Sequence, residues 1–335
     1  MREFTSLTQI AALVPDLPAF DEAAAAAAQD RQMQLTKPPG SLGRLEEFAA
    51  FLAGWQGRER PQMETLQALV FAGNHGVCAQ GINPFPQDVT VQMVANFKAG
   101  GAAINQLCSV AGAALDVIAL DLERPTADFT ESPAMSEDEC LEAINRGAAA
   151  VPHDADCLVL GEMGIGNSTV SAALAAALFG GVGAAWVGRG TGADEVGMAR
   201  KAQVVDRAVD RHAGLSPLET LAALGGREQA AICGAVLAAR MARIPVVLDG
   251  YICTAAVAPL YADDPAFLAH CLVGHTSAEP GHKRLLAAMQ KDPVLDLRMA
   301  LGEGTGAALA LGVLKGAVAC HNGMATFAEA GVAGG

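Results

Sequence analysis

Six short runs of β-type residues punctuate the chain, each closed by a turn signal: LQALVFAGN (66–74), ALDVIALD (114–121), DCLVLGEM (156–163), AAWVGRG (184–190), IPVVLDG (244–250) and HCLVGHTS (270–277). Short apolar runs of this length, bounded by Gly, Asn and Asp, fit strands buried on both faces. Between them, apolar positions recur at helical spacing over 88–107, 136–150, 168–178, 194–212, 227–242, 253–261 and 279–290. This alternation predicts an α/β fold, a parallel sheet with helices on both faces. Ligands of such sheets bind beyond the carboxyl ends of the strands. The distinctive loops fall at those ends: AGNHGV, GEMGIGN, GRGTG, LDG and GHTSAEPG.

The two ends of the chain follow another pattern. Helical stretches at 20–34, 44–54 and 303–322 have no strand nearby. They predict a small helical domain from both termini, 1–59 with 301–335, beside a large α/β domain at 60–300.

Composition sharpens this picture. Apolar residues make up 52% of the chain and aromatics only 4%, so Ala, Val, Leu and Ile must build the core. The formal charge of −14 argues against nucleic acid or an anionic membrane as partner. It also means that a phosphate ligand needs a local device, a helix start or one placed lysine. Eight cysteines without a C-x-x-C pattern fit reduced, mostly buried thiols. The first twenty residues carry a charge pair and two prolines where a signal peptide needs an apolar run. Residues 163–188 carry no charge, but Asn167, Ser168 and Thr169 open the stretch and Gly180, Gly181 and Gly183 break it, so a helix is expected rather than a membrane span. A cytoplasmic protein is expected.

Three loops carry candidate chemistry. GEMGIGNST (161–169) leaves a strand and opens a helix; Gly164 and Gly166 admit a ligand to backbone amides, and Asn167 or Ser168 can cap the helix. Its spacing is neither the dinucleotide fingerprint nor a Walker loop. GRGTGADE (188–195) is a second glycine-rich loop, with Lys201 one to two turns into the helix that follows. LGEGTGAALA (301–310) places Glu303 between two glycines at a helix mouth, and Glu162 stands likewise at the mouth of its loop. Either glutamate alone could be a charge that complements a helix dipole, worth about 0.3–1 kcal/mol. Two such residues in so apolar a chain favour a reaction centre. In HTSAEPGH (275–282), Pro280 and Gly281 interrupt any convergence of His275, Glu279 and His282, so no metal is inferred. Asp263–Asp264 follows no strand.

Taken together and in order, KPPGSLGRLE (37–46), AGNHGV (72–77), GEMGIGNST, SAEPGH (277–282) and LGEGTGAALA resemble the nicotinate-nucleotide–dimethylbenzimidazole phosphoribosyltransferases, which make the lower-ligand nucleotide of cobalamin. The resemblance runs from about residue 30 to about 325. It implies a Rossmann-like parallel six-stranded sheet plus a small helical domain, and a homodimer whose partner completes each active site. It implies transfer of ribose 5-phosphate from nicotinate mononucleotide to 5,6-dimethylbenzimidazole; no cofactor is expected. By the same resemblance Glu303 matches the catalytic base, Glu162 the second active-site glutamate, Lys201 the phosphate-binding lysine and Ser277 the serine of the SAE motif. Gly164, Gly166, Asn167, Ser168, Gly190 and Leu301 complete the expected substrate-binding set. In NPFPQDVTVQM (83–93), Phe85 and Met93 stand where some members have Ser and Gln, which points to an apolar base pocket.

The competing readings are a dinucleotide-binding oxidoreductase on the same kind of sheet and a non-catalytic nucleotide-binding protein. The first predicts G-x-G-x-x-G after the first strand and an acid after the second. AGNHGV lacks that spacing, though Asp121 does follow the second strand.

Overall fold

A computed structural model describes residues 3–190 and 192–333. Its centre is a five-stranded parallel sheet: β1 (Leu66–Ala72), β2 (Ala113–Ala119), β3 (Cys157–Met163), β4 (Val246–Leu248) and β5 (Cys271–Val273), in the order β2-β1-β3-β4-β5. Register is set by pairs such as Phe71 with Glu162 and Leu160 with Leu248. The chain grows outward from β1 in one direction and then, from β3, in the other.

The sheet is one strand short of the six implied by the resemblance, because the run at 184–190 is not a strand. The amides of Ala185, Trp186 and Val187 donate to the carbonyls of Val182 and Gly183, which closes a 3-10 turn at Gly183–Ala185 and leaves no ladder to extend. The Trp186 ring is fully buried, with Nε1 donating to Gly180 O (2.9 Å) and the Arg284 guanidinium stacked on its face (4.9 Å). Burial of one large aromatic, not strand pairing, explains the hydrophobicity of this run.

Fifteen α-helices surround the sheet among the described residues. From the first terminus come α1 (Leu7–Ala11), α2 (Glu22–Gln34) and α3 (Arg44–Gln56). The connection from β1 to β2 holds α4 (Asp88–Lys98) and α5 (Ala103–Ala111), and α6 (Glu137–Ala149) precedes β3. The long crossover to β4 holds α7 (Asn167–Phe179), α8 (Glu195–Arg211), α9 (Pro217–Leu224) and α10 (Arg227–Met241). Then come α11 (Tyr251–Ala256), α12 (Ala258–Asp263), α13 (Pro280–Ala288), α14 (Thr305–Gly323) and α15 (Phe327–Ala330). The helix expected over 88–107 is two, because Gly100 turns left-handed (φ +79°) between α4 and α5. The one expected over 253–261 is also two, because Pro259 has no N–H to continue the ladder.

Alternate strand residues feed two separate cores. Leu69 and Phe71 of β1 join the core shared with α7 and α10, whereas Leu66, Ala68 and Val70 join the one shared with α3, α5 and α14. Helices therefore cover both faces, as the apolar strand runs require. The terminal helices α2, α3 and α14 pack on one another, and α14 also lies on the second sheet face. No helix of the described residues is long and apolar enough to cross a membrane.

Candidate active site

One cavity opens at the carboxyl ends of β3 and β4, lined by the turn after β3, the loop ahead of α8 and the 300–303 segment before α14. Ten of the twelve residues selected from the sequence line it: Glu162, Gly164, Gly166, Asn167, Ser168, Gly190, Lys201, Ser277, Leu301 and Glu303. The other two, Phe85 and Met93, do not. Phe85 is half exposed in the loop before α4, and Met93 packs against the core under α4.

Glu162 is the second-last residue of β3 and only 4% exposed. Asn167 Nδ2 donates to its Oε2. Its other oxygen faces Gly302 so closely that a Cβ there would lie 2.5 Å away. The two glutamate-bearing loops thus touch through Glu162 and a residue that must be glycine. Burial, then the charges of Asp249 and Glu228, push the Glu162 carboxyl up to about 8, against the Asn167 hydrogen bond.

Glu303 lies in the left-handed region (φ +65°), flanked by Gly302 (+86°) and Gly304 (+85°). For a residue with a Cβ this costs about 1–2 kcal/mol, so the surroundings must impose it. They do so through Asp249, just past β4: its Oδ2 accepts from Gly304 N (3.2 Å) and its Oδ1 from Ala307 N (2.9 Å). Thr305 Oγ1 donates to Gly302 O (2.7 Å). Asp249 therefore caps α14 from another element, and the Glu303 carboxylate makes none of these bonds. It is 6% exposed, and burial followed by the Asp249 charge pushes it up to about 7. Asp249 is itself buried, 3.5 Å from His275 Nε2.

Another wall of the same cavity carries positive charge. Lys201 is delivered by α8 and is 3% exposed; its Nζ donates to Ser168 Oγ (3.2 Å) and Gly188 O (3.2 Å). Burial lowers its pKa and the Glu279 carboxylate opposes this. Glu279 Oε1 accepts from Gly190 N (2.9 Å), and Glu279 N donates to Ser277 Oγ (3.2 Å), which ties the loop ahead of α8 to the turn after β5. Beside Lys201 is the start of α7. Its cap is Gly166 (φ +93°) and its first turn holds no acid; Asn167 N and Thr169 N donate to Gly164 O (3.1 Å) and Gly166 O (3.0 Å), which leaves the Ser168 amide as the one that can meet a ligand. A helix start left in this way is suited to an anion.

Asp249 went unselected in the sequence because its signal is one acid at a strand end, VVLDG, which is a common turn. Glu279 and His275 were singled out as metal candidates only, although their roles here are to hold a loop amide and to face Asp249. Asp121, the residue on which a dinucleotide reading would rest, is engaged by Arg124 (2.8 Å) and Arg146 (3.1 Å).

The chain matches known proteins over nearly all of its length. A model of a phosphoribosyltransferase family matches residues 17–332. The chain is similar to the nicotinate-nucleotide–dimethylbenzimidazole phosphoribosyltransferase of Rhodobacter capsulatus, 61% identical over 332 residues and 99% of each chain. It is 58% identical over 331 residues to the protein of the same name from Ruegeria pomeroyi, covering 99% of this chain and 98% of that one. A crystal structure of the same-named enzyme from Thermus thermophilus superposes with a TM-score of 0.88 at 42% identity, over 94% of this chain and 100% of that one. The chain belongs to the nicotinate-nucleotide–dimethylbenzimidazole phosphoribosyltransferase family.

Proposed function

We propose that this chain transfers ribose 5-phosphate from nicotinate mononucleotide to 5,6-dimethylbenzimidazole, giving α-ribazole 5′-phosphate and nicotinate. One observation carries the reading: a single cavity combines a buried lysine and an uncapped helix start with two buried carboxyls of raised proton affinity. The first pair suits a phosphate, the second a proton that must be taken up near neutral pH.

The chemistry needs no more than this. Nicotinate mononucleotide is a pyridinium glycoside, so its leaving group departs without protonation and no general acid is required. The benzimidazole attacks the anomeric carbon with the lone pair of one nitrogen, from the face opposite the departing pyridine, which inverts β to α. As that bond forms, the N–H of the ring's other nitrogen becomes acidic. Glu303 takes the proton. A base titrating near 7 suits this step better than an ordinary carboxylate, which is too weak a base. Glu162, titrating higher, retains its own proton and orients the ring. Lys201, with the hydroxyl and amide of Ser168 at the start of α7, holds the 5′-phosphate, whose charge favours the ammonium form that burial disfavours.

The reading also includes a homodimer in which the helices of both termini form a small domain that completes the partner's site.

Incubation with nicotinate mononucleotide, with and without 5,6-dimethylbenzimidazole, tests the reaction. Nicotinate should appear together with a ribosylated base, and only when the base is present. Release without the base would make the protein a hydrolase. No release under either condition would overturn the proposal.

A further inference from the structure

Behind the turn that leaves β3 is a second pair of ionisable groups that the reaction above does not use. His75, three residues past β1, and Glu228, in the first turn of α10, are both fully buried with Nε2 and Oε1 3.0 Å apart. Among the described residues neither side chain has any hydrogen bond beyond this contact. The backbone is fitted around them. A Cβ on Gly164, two residues after Glu162, would lie 2.9 Å from His75 Nε2, and one on Gly226 would lie 2.4 Å from His75 Cε1 and 2.6 Å from Glu228 Oε2. The pair is thus the surface on which the Glu162–Gly164 turn rests. A fully buried acid–imidazole pair with unmet lone pairs is poor evidence for stability, since an apolar pair of similar volume commonly serves as well or better. A charge effect on the neighbouring site gives it a purpose that apolar packing could not supply.

We propose that Glu228, paired with His75, is a positioning residue for the transfer: it fixes the turn that carries Glu162 and sets a buried acid behind that turn, so that Glu162 and Glu303 meet the base in separate roles. This deepens the phosphoribosyl-transfer reading and rests on it. The groups that face Glu162 are Asp249 beyond β4, Glu303 before α14, Glu228 on α10, Cys253 on α11 and the neutral Asn167 on α7, with His275 behind Asp249. Among these carboxylates, Asp249 is bound to the amides of Gly304 and Ala307, which leaves Glu228 as the charge whose removal disturbs the Glu303 turn least.

The test is the pH profile of kcat/KM for wild type, Glu228→Gln, His75→Gln and the apolar double variant His75→Leu/Glu228→Leu. Activity needs Glu303 ionised and Glu162 protonated, so wild type should show a bell with limbs near 7 and 8. Glu228→Gln removes a negative neighbour, so Glu162 loses its proton more easily and the alkaline limb should move down, by on the order of one pH unit. His75→Gln leaves a buried carboxyl without its partner, so Glu228 is neutralised and the same limb should move down as well. The double variant should fold and share the downward shift. A structural pair would instead lower the thermal midpoint in every variant with the limbs unmoved, or prevent all three from folding, and either result overturns the proposal. Limbs unmoved in active variants would sink this inference alone, whereas absence of nicotinate release by wild type would sink the transfer reading beneath it.

Discussion

At the scale of single residues, the question is why two glutamates occupy an apolar wall next to glycines. A helix cap would explain them if their oxygens met helix amides. At α14 that role belongs to Asp249, which accepts from Gly304 N and Ala307 N, and Glu303 is held in a left-handed conformation with its carboxylate directed elsewhere. Glu303→Gln keeps shape and hydrogen bonding but cannot take a proton. Turnover should fall by about 10²–10⁴ with binding of nicotinate mononucleotide largely retained. In wild type, turnover should rise as pH climbs through about 7, and the variant should lose that rise. Near-normal turnover would return Glu303 to a purely structural role.

Glu162 allows a separate test through stability. Its carboxyl is raised from an ordinary value near 4.5 to about 8, so the folded chain keeps a proton that the unfolded chain has lost. Stability must then fall as pH rises across that window and level off above it. Glu162→Gln has no proton to lose. Its thermal midpoint should match wild type near pH 5 and exceed it at pH 8, by the equivalent of roughly 1–3 kcal/mol. A difference that does not grow with pH would show that Glu162 is not held protonated by the fold. The sequence made both glutamates conspicuous, because a lone charge between glycines in an apolar run is rare. Asp249 was hidden, because its importance comes from a contact with residues more than fifty positions away.

Among secondary-structure elements, those with strong periodicity were legible, and those shaped by tertiary contacts were not. Residues 156–163 and 227–242 were read almost to the residue, since an apolar run ending at a glycine turn and a long alanine-rich helix leave little choice. The stretch 184–190 reads as a strand but is not one, because the burial of Trp186 produces the same hydrophobicity as pairing would. Helix α9 does not stand out in the sequence, although Ser216 and Glu219 form a capping box and Pro217 opens the helix; at eight residues it is too short for periodicity to show. At this scale the proposed phosphate site joins two elements, α7 giving the hydroxyl and amide of Ser168 and α8 giving a cation. Lys201→Ala should raise the KM for nicotinate mononucleotide by roughly 10- to 100-fold, the worth of one charge-assisted hydrogen bond of about 1.5–3 kcal/mol. An unchanged KM would leave the phosphate to Ser168 of α7 alone.

On the scale of the whole molecule, the cavity has an apolar lip that the single chain leaves in water. Leu297 and Leu301 are 57% and 58% exposed along the segment that leads to Glu303, and Leu301 also lines the cavity. Across the loop that begins with Asn83, another lining residue, Phe85 is about as exposed. Large side chains left open at a site are what an interface covers. The chemistry favours such a cover as well, because water competes with the benzimidazole for the anomeric carbon once the pyridine begins to leave. A partner subunit placed over this lip would bury the leucines and dry the base pocket in one step, which also gives Phe85 a place in the site that it lacks in the isolated chain. The protein should therefore sediment at micromolar concentration as a species of twice the 34.1 kDa chain. On dilution its specific activity should fall in step with the dimer fraction, and the remaining nicotinate release should depend less on added base as water gains access. A monomer with full activity at every concentration would show that one chain closes its own site, and the exposed lip would then need another explanation.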